Sequence, residues 1–174
     1  CTKRPMSSSR IYFSYFPSWS SVEVVSRSKI MAIPDDELGF MPLGPRYDPK
    51  YGAIVKTVTD PKVYLLLGGY RNWITEEDVF RGLKYKWEWV EDIDPRLLAK
   101  YTTGFEIDYV DHHPAHTLIS YIETPHIYRL EEKDGILVKR RIANMTAFNS
   151  LGYRRDRIVE ITHEEVYPDG AVIT

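Results

Sequence analysis

A single cysteine, Cys1, is all that the sequence has, so no disulfide can form within one chain. Neither sign of charge is in excess, because 23 Lys and Arg residues and 25 Asp and Glu residues give a formal net charge of −2. The basic clusters at Lys139–Arg141 and Arg154–Arg157 are local and are predicted to be solvated strand and turn faces. The longest apolar run, Val63–Leu67, is far shorter than the ~18 residues of a membrane-spanning helix. We therefore expect no nucleic-acid partner and no transmembrane segment.

Aromatic side chains are abundant by contrast. Thirteen Tyr and four Trp residues help to make 13% of the chain aromatic and 43% hydrophobic. This composition supplies a packed core and is not that of a disordered chain. At 174 residues the chain suits one ordinary domain, or two to three small modules that share their cores.

The position of Cys1 has two interpretations. Mature bacterial lipoproteins begin with Cys, because the signal peptide is cut before this residue and its thiol carries the lipid. Residues 1–9 would then form a polar tether, with Cys1 as a possible lipid anchor. A chain that was cut or engineered at this point explains the same residue equally well, and the sequence leaves both explanations open.

Internal repetition organises the rest of the sequence. Asp60–Tyr64 matches Thr124–Tyr128 in residue type. Downstream, further matches share one offset of 68 residues: Phe80 with Phe148, Leu83 with Leu151, Tyr85 with Tyr153, Val90 with Ile158 and Ile93 with Ile161. The upstream offset is 64, which predicts four extra residues in the turn at Glu131–Gly135, since hairpin tips tolerate insertion.

The repeat predicts how the chain is divided. Four residues of the first part match the back half of the second copy: Phe13, Trp19, Val22 and Val25 with Phe80, Trp87, Val90 and Ile93. We expect a tether at 1–9, an incomplete first repeat at 10–50, a second repeat at 51–107, a connector at 108–116 and a third repeat at 117–174. Units this small bury little surface alone and should pack against one another.

Each unit is predicted to be α+β, with tandem repeats of a small antiparallel β-sheet and short helices in the order β-β-β-α-β-α. Gly68-Gly69 marks a hairpin between the second and third strands. Asp94-Pro95 opens the second helix, with Asp as its cap and Pro in its first turn. Thr162 and Glu165 have the spacing of a capping box, which predicts the equivalent helix in the third repeat.

The run Val55–Leu65, followed by Arg71–Phe80, is similar to a repeat of bacterial S-layer-like and secreted cell-surface proteins with the pattern DPKVY…RWI…F..LGY. Leu151–Tyr153 and Tyr167–Gly170 carry the pattern in the third repeat, although Lys139–Ile142 stands where Arg-Trp-Ile is expected. The resemblance covers nearly everything after the first ten residues. It implies an extracellular or cell-surface location and a scaffold or binding role, and it brings no catalytic residues with it.

Metal-capable side chains are densest in the connector, at Asp111, His112, His113 and His116. Imidazole and carboxylate groups suit a transition ion, and Pro114 makes a loop clamp the expected form of such a site. The alternative interpretation is a polar connector whose histidines face water.

Four aromatic residues are the candidates for contact with a partner or a glycan: Tyr85, Trp87, Trp89 and Trp19. Trp87 and Trp89 share a strand face by their spacing of two, and Tyr85 joins that face if the strand begins early. Exposed aromatic patches often mark protein contacts. The alternative interpretation is packing in the core.

The sequence has no Gly-x-Ser-x-Gly motif and no other recognisable arrangement of a nucleophile and its base. We expect a non-catalytic extracellular structural protein without a cofactor, as a subunit or segment of a surface layer, filament or envelope coat. Its partners would be copies of itself or other cell-surface proteins, with a neighbour completing the first repeat by strand addition. The alternatives are a carbohydrate- or cell-wall-binding module that uses its exposed aromatics, and a metal-dependent hydrolase built on the His cluster.

Overall fold

Two mixed β-sheets and a few short helices make up the protein, as a computed structural model describes it for residues 1–49 and 52–174. The α+β class expected from the sequence is confirmed. Within the described residues, no helix is long and apolar enough to cross a membrane.

The first sheet comprises β1 (Ile54–Thr57), β2 (Asp60–Leu67), β3 (Tyr70–Ile74), β4 (Val90–Ile93) and β5 (Thr102–Ile107). Its strand order is β4-β1-β2-β3-β5. The pairs β1–β2 and β2–β3 are antiparallel, whereas β4 runs parallel to β1 and β5 runs parallel to β3.

The second sheet comprises β6 (Leu118–Tyr121), β7 (Ile127–Lys133), β8 (Ile136–Arg141) and β9 (Val159–Ile161). Its order is β8-β7-β6-β9, again with antiparallel pairs in the centre and with β9 parallel to β6. Isolated parallel bridges of Lys139 with Asp169 and of Ile142 with Ile173 bring the end of the chain alongside β8.

Short helices connect and cover the strands. The α-helices are α1 (Ser9–Phe13), α2 (Arg27–Met31), α3 (Glu77–Gly82), α4 (Pro95–Leu98) and α5 (Met145–Ser150), and single turns of 3-10 helix lie at Trp19–Ser21, Trp87–Trp89 and Arg155–Arg157. The Asp94 carboxylate accepts a hydrogen bond from Arg96 N at 2.8 Å. The predicted cap of α4 is therefore confirmed.

The purely antiparallel sheet predicted for each unit is wrong, because β4, β5 and β9 are parallel to their neighbours. A chain that leaves one end of a sheet and returns through a helix can enter the next strand in the original direction. Here α3 carries the chain back between β3 and β4, and α4 carries it back between β4 and β5.

Two β-hairpins have two-residue turns, at Gly68-Gly69 and at Asp134-Gly135. All four turn residues have positive φ, between 54° and 87°, which is the turn geometry that matches the twist of hairpin strands. The predicted Gly68-Gly69 hairpin is confirmed.

The four extra residues expected in the turn at Glu131–Gly135 lie in the strands instead. Leu66 N donates to Ala53 O, and Leu130 N donates to Thr117 O in the same way. The turn begins two residues after Leu66 but four residues after Leu130. Two residues are thus added to each strand of the β7–β8 hairpin, and an even addition leaves every side chain on its face of the sheet.

The segment at 1–9 is not a free tether. Lys3 pairs in parallel with Asp35, Lys3 N donates to Pro34 O, and Met41 N donates to Pro5 O, both at 2.9 Å. The backbone of residues 3–5 is therefore fixed against residues 34–41, because its hydrogen-bonding groups have partners there.

The incomplete first repeat, residues 10–50, differs from the expected alignment. Phe13, aligned with the buried Phe80, is 41% exposed, and the neighbouring Tyr12 is the buried ring. Residues 22–25 form no strand. Residue 50, with residue 51 of the second repeat, lies outside the described residues.

The helix expected after Thr162 is also absent from the described structure, where residues 163–164 form a turn. Glu165 was expected to reach back to the Thr162 backbone. Its carboxylate contacts His113 and Tyr167 instead. A long-range ion pair thus replaces the local cap.

The first sheet buries side chains on both of its faces. One face packs with the second sheet in a core that includes Ile54, Leu65, Ile74, Phe80, Ile107, Ile119, Leu130, Val159 and Ile161. The opposite face packs with the first part of the chain in a core that includes Leu43, Val55, Leu66, Ile93, Leu97 and, partly buried, Ile11 and Tyr47. A third core, with Leu118, Ile142, Phe148, Tyr153 and Ile173, joins α5 to the second sheet.

Two helices end in the same way with different residues. Tyr85 N donates to Phe80 O after α3, and Tyr153 N donates to Phe148 O after α5, which is a Schellman-type ending. The residue between helix and Tyr has positive φ in both, 56° at Lys84 and 69° at Gly152. Lysine therefore occupies a backbone conformation that favours glycine.

We predict opposite effects for exchanging these residues. Lys84→Gly should raise the free energy of unfolding by up to about 1 kcal/mol, because glycine removes a left-handed strain of ~1–2 kcal/mol but has a more flexible unfolded chain. Gly152→Ala should lower it by about 1 kcal/mol, since an added Cβ meets nothing within 4 Å and only the backbone is strained. Urea unfolding measures both, and a Lys84→Gly protein that is clearly less stable would contradict the assigned conformation.

Candidate functional site

Glu91 in β4 lies where the first part of the chain and both sheets meet. Its carboxylate accepts hydrogen bonds from the Tyr47 hydroxyl at 2.7 Å, from Arg10 at 3.0 Å and from Arg154 at 3.0 Å. The Arg157 guanidinium lies 3.8 Å away. We call these five residues the Glu91 cluster. It joins residues that are 44 to 81 positions apart in the chain.

Arg157 is the most deeply placed cation of the Glu91 cluster. It is 7% exposed and donates to the backbone oxygen of Trp89 at 3.2 Å, with its guanidinium 5.6 Å from the centre of the Trp89 ring. Asp156 accepts a further bond from it at 3.1 Å. Arg157 thus connects the second sheet to the turn that precedes β4, through charge, hydrogen bonding and ring contact together.

The electrostatics of the Glu91 cluster favour the ionised pair. Burial alone would raise the pKa of Glu91, but hydrogen bonds from Tyr47, Arg10 and Arg154 outweigh it and hold that pKa below its usual value. Burial and then Glu91 raise the pKa of Tyr47 to about 12, so Tyr47 remains a donor at neutral pH. Burial lowers the pKa of Arg157, as expected for a cation removed from water.

His113 forms a second contact between the sheets. It is 2% exposed; its Nδ1 lies 2.6 Å from the Glu165 carboxylate and its Nε2 lies 2.9 Å from Leu83 O, at the end of α3. The Tyr167 hydroxyl accepts from His113 N at 2.8 Å and donates to Glu165. His113 therefore ties α3 of the first sheet to the segment that follows β9.

The predicted metal site is not formed in the described residues, where no three His, Cys, Asp or Glu side chains are placed to hold a metal ion. Both ring nitrogens of His113 already contact protein oxygens. His112 stacks on Tyr109 and contacts Asp111, and His116 lines a different surface with Glu131. The connector at 108–116 is thus partly a buried joint, not a water-facing loop.

The predicted aromatic face of Tyr85, Trp87 and Trp89 is wrong for two of its three residues. Tyr85 is 7% and Trp89 is 6% exposed, so neither is available to a glycan or partner. The expected strand begins only at Val90, and Trp87–Trp89 is a 3-10 turn that points the two indoles in different directions. Tyr85 and Trp89 therefore belong to the core.

Trp87 and Trp19 remain accessible at about half of their surface. Each stacks on a buried ring of a nearby helix: Trp87 on Phe80 with centroids 4.3 Å apart, and Trp19 on Tyr12 at 4.4 Å. Their partner contacts stay predictions, as does lipidation of Cys1, which is an exposed free thiol.

Comparison with protein-family models, with curated proteins and with solved structures finds no match for this chain. The contacts of its own residues are therefore the basis for a functional proposal. Sequence reasoning missed Glu91 and Glu165, whose partners lie far away along the chain; the only local signal was the basic cluster Arg154–Arg157, which had been assigned to solvent.

We predict that Glu91→Gln lowers the free energy of unfolding by about 2–3 kcal/mol, because it leaves the buried Arg157 without its counter-charge. The share of Arg10 is small, since its side chain is 55% exposed. Glu88→Gln, on an exposed neighbour, is the matched control and should change stability little.

The pH dependence has a defined sign. Because folding lowers the pKa of Glu91, its contribution is complete above the unfolded value of about 4.3 and is lost as pH falls through the folded value. Urea unfolding from pH 7 to pH 3 should thus show the Glu91→Gln deficit shrinking with acid, and a deficit that is constant or grows would contradict this role.

Proposed function

We propose that this chain is a non-catalytic extracellular structural protein, built from tandem copies of one unit and acting as a subunit or segment of a surface layer, filament or envelope coat. The recurrence of elements at one spacing carries the proposal. The units α3, Trp87–Trp89 and β4 begin 68, 68 and 69 residues before α5, Arg155–Arg157 and β9. The resemblance to cell-surface repeats supports the location.

The first part of the chain supports the same spacing. Trp19–Ser21 precedes Trp87–Trp89 by 68 residues, and α2 begins 68 residues before α4. The bridge of Lys3 with Asp35 likewise lies 68 residues before the pair of Arg71 with Thr103 in β3 and β5. An incomplete first copy, with a helical part and the end of a strand pair, fits this set.

Stacking of the copies supports a structural role. Each face of the first sheet is covered by residues of an adjacent copy, and the Glu91 cluster and His113 join the copies at their edges. Units that contact only their neighbours in sequence can be extended in one direction, as solenoid proteins are. This is the geometry expected of a building block for a long or layered assembly.

The first copy also presents an apolar surface that suits self-association. Within residues 13–40, several large apolar side chains are at least one-third exposed: Phe13, Phe16, Trp19, Val22, Val24, Ile30, Met31, Leu38 and Phe40. Exposed groups of this kind mark protein contacts more often than they occur on a free monomer. A neighbouring molecule that adds strands here would cover them.

Light scattering after size-exclusion chromatography, with negative-stain electron microscopy of the same fractions, tests the proposal. We expect oligomers or ordered assemblies whose population grows with protein concentration. Replacing Trp19 and Phe40 together by Ser should reduce assembly, because it removes exposed apolar area at little cost to the core.

Replacing the exposed Ile136 and Val166 by Ser is the matched control, since both lie in the later part of the chain. A stable monomer at millimolar concentration, or equal loss of assembly in both double variants, would contradict self-association through the first copy.

A further inference from the structure

A groove opens between the β2–β3 hairpin of the first sheet and β7 of the second. Tyr70 and Phe105 line it from the first sheet, Glu131 and Glu132 line it from β7, and His116 lines it from the connector. It encloses about 750 Å³. This volume lies in the range of ~300–1,000 Å³ that is typical of sites for small organic ligands.

The aromatic side of the groove is held rigidly. Tyr70 is 52% and Phe105 is 50% exposed, although both lie on strands of the sheet. Asn72, 1% exposed, accepts from Phe105 N and donates to Leu65 O, both at 3.2 Å. A Cβ at Gly104 would lie 2.1 Å from the Asn72 side-chain oxygen, so glycine is needed there. Two accessible rings are thus presented from fixed backbone.

The polar side of the groove comes from the two residues that lengthen β7. Glu131 accepts from Arg140 at 2.7 Å and also pairs with Arg129, so its charge is compensated. Glu132 follows it and is exposed. The extended hairpin therefore brings carboxylate oxygens opposite the rings, and carboxylates are pure hydrogen-bond acceptors.

His116 occupies an unusual backbone position beside these groups. Its φ is 76°, and the residue in the same place in the first sheet is Gly52, with φ 73°. Each residue donates its N–H to the equivalent strand, Gly52 to Leu66 O and His116 to Leu130 O. Glycine serves the backbone here without strain, whereas an L-residue is strained. A histidine at this point indicates a use for its imidazole.

The charges of the groove favour a neutral ligand. Burial, and then the nearby Arg129, lower the pKa of His116, so the ring is uncharged at neutral pH. With Glu131 compensated by arginines, Glu132 is the remaining charge among the five lining residues named above. A polyanion would meet a carboxylate, and a cationic peptide would find only one uncompensated partner.

We propose that this groove binds a neutral pyranose ring of a polysaccharide. A pyranose has an apolar C–H face that packs on an aromatic ring, and hydroxyl groups at its edge that donate to carboxylates and to an imidazole nitrogen. Tyr70 and Phe105 supply the first surface, and Glu132 and His116 supply the acceptors. The site is separate from the aromatic residues Tyr85 and Trp89, which are buried.

Isothermal titration of the full chain with neutral β-1,4-linked hexasaccharides of glucose, of N-acetylglucosamine and of xylose tests this proposal. We expect at least one of the three to bind. Tyr70→Ala and Phe105→Ala should each weaken binding about tenfold or more, because each removes one stacking surface. Trp87→Ala is the matched control, since Trp87 is exposed to a similar degree but lies outside the groove, and binding should be unchanged.

His116→Gly separates a ligand-binding role from a structural one. It installs the residue that Gly52 already provides, so the melting temperature should stay the same or rise while saccharide binding falls. Absence of binding by all three hexasaccharides at millimolar concentration would overturn the proposal. So would binding that Trp87→Ala weakens as much as Tyr70→Ala does, or a basic peptide that binds the groove when the hexasaccharides do not.

Discussion

The first sheet has apolar side chains on both faces, and the rest of the structure depends on covering them. Ile54 and Val55 are neighbours in β1 and point to opposite faces, as Leu65 and Leu66 do in β2, and all four are buried. Burying one such side chain stabilises a fold by ~1.5–3 kcal/mol. A single layer cannot satisfy both faces, so the sheet needs a partner on each side.

The partners on the two sides come from different parts of the chain. Residues before the sheet cover one face and residues after it cover the other, and charged groups join the three at the edges. Compensation of Glu91 by arginines from both sides makes the two contacts electrostatically dependent on each other. This explains why charged residues that look local in the sequence are buried between units.

Local features of the fold could be predicted from the sequence. The Gly68-Gly69 turn and the Asp94-Pro95 helix start follow from the backbone preferences of those residues. The burial of Phe80 and Phe148 followed from their shared position in the repeat. Strand direction, and the burial of Tyr85 and Trp89, could not be predicted, because they depend on a crossover and on a second sheet that lies far along the chain.

Contacts between distant charges were equally inaccessible. Nothing near Glu91 indicates that Arg10, 81 residues away, is its partner, and Glu165 reaches His113 over 52 residues. The units share a backbone plan and differ at single positions, such as Lys84 with Gly152 and Gly52 with His116. The groove lies where two such differences, a longer hairpin and a histidine in place of glycine, coincide.

The stability of a chain that begins at Gly52 tests the dependence on two-sided covering most directly. Without residues 1–51 it loses Leu43, Ile11 and Tyr47 from one face of the first sheet and Arg10 from Glu91. Urea unfolding should show a free energy of unfolding at least about 3 kcal/mol lower than that of the full chain, or a protein that aggregates through Val55 and Leu66. A shortened chain that is monomeric and as stable as the full one would contradict the account.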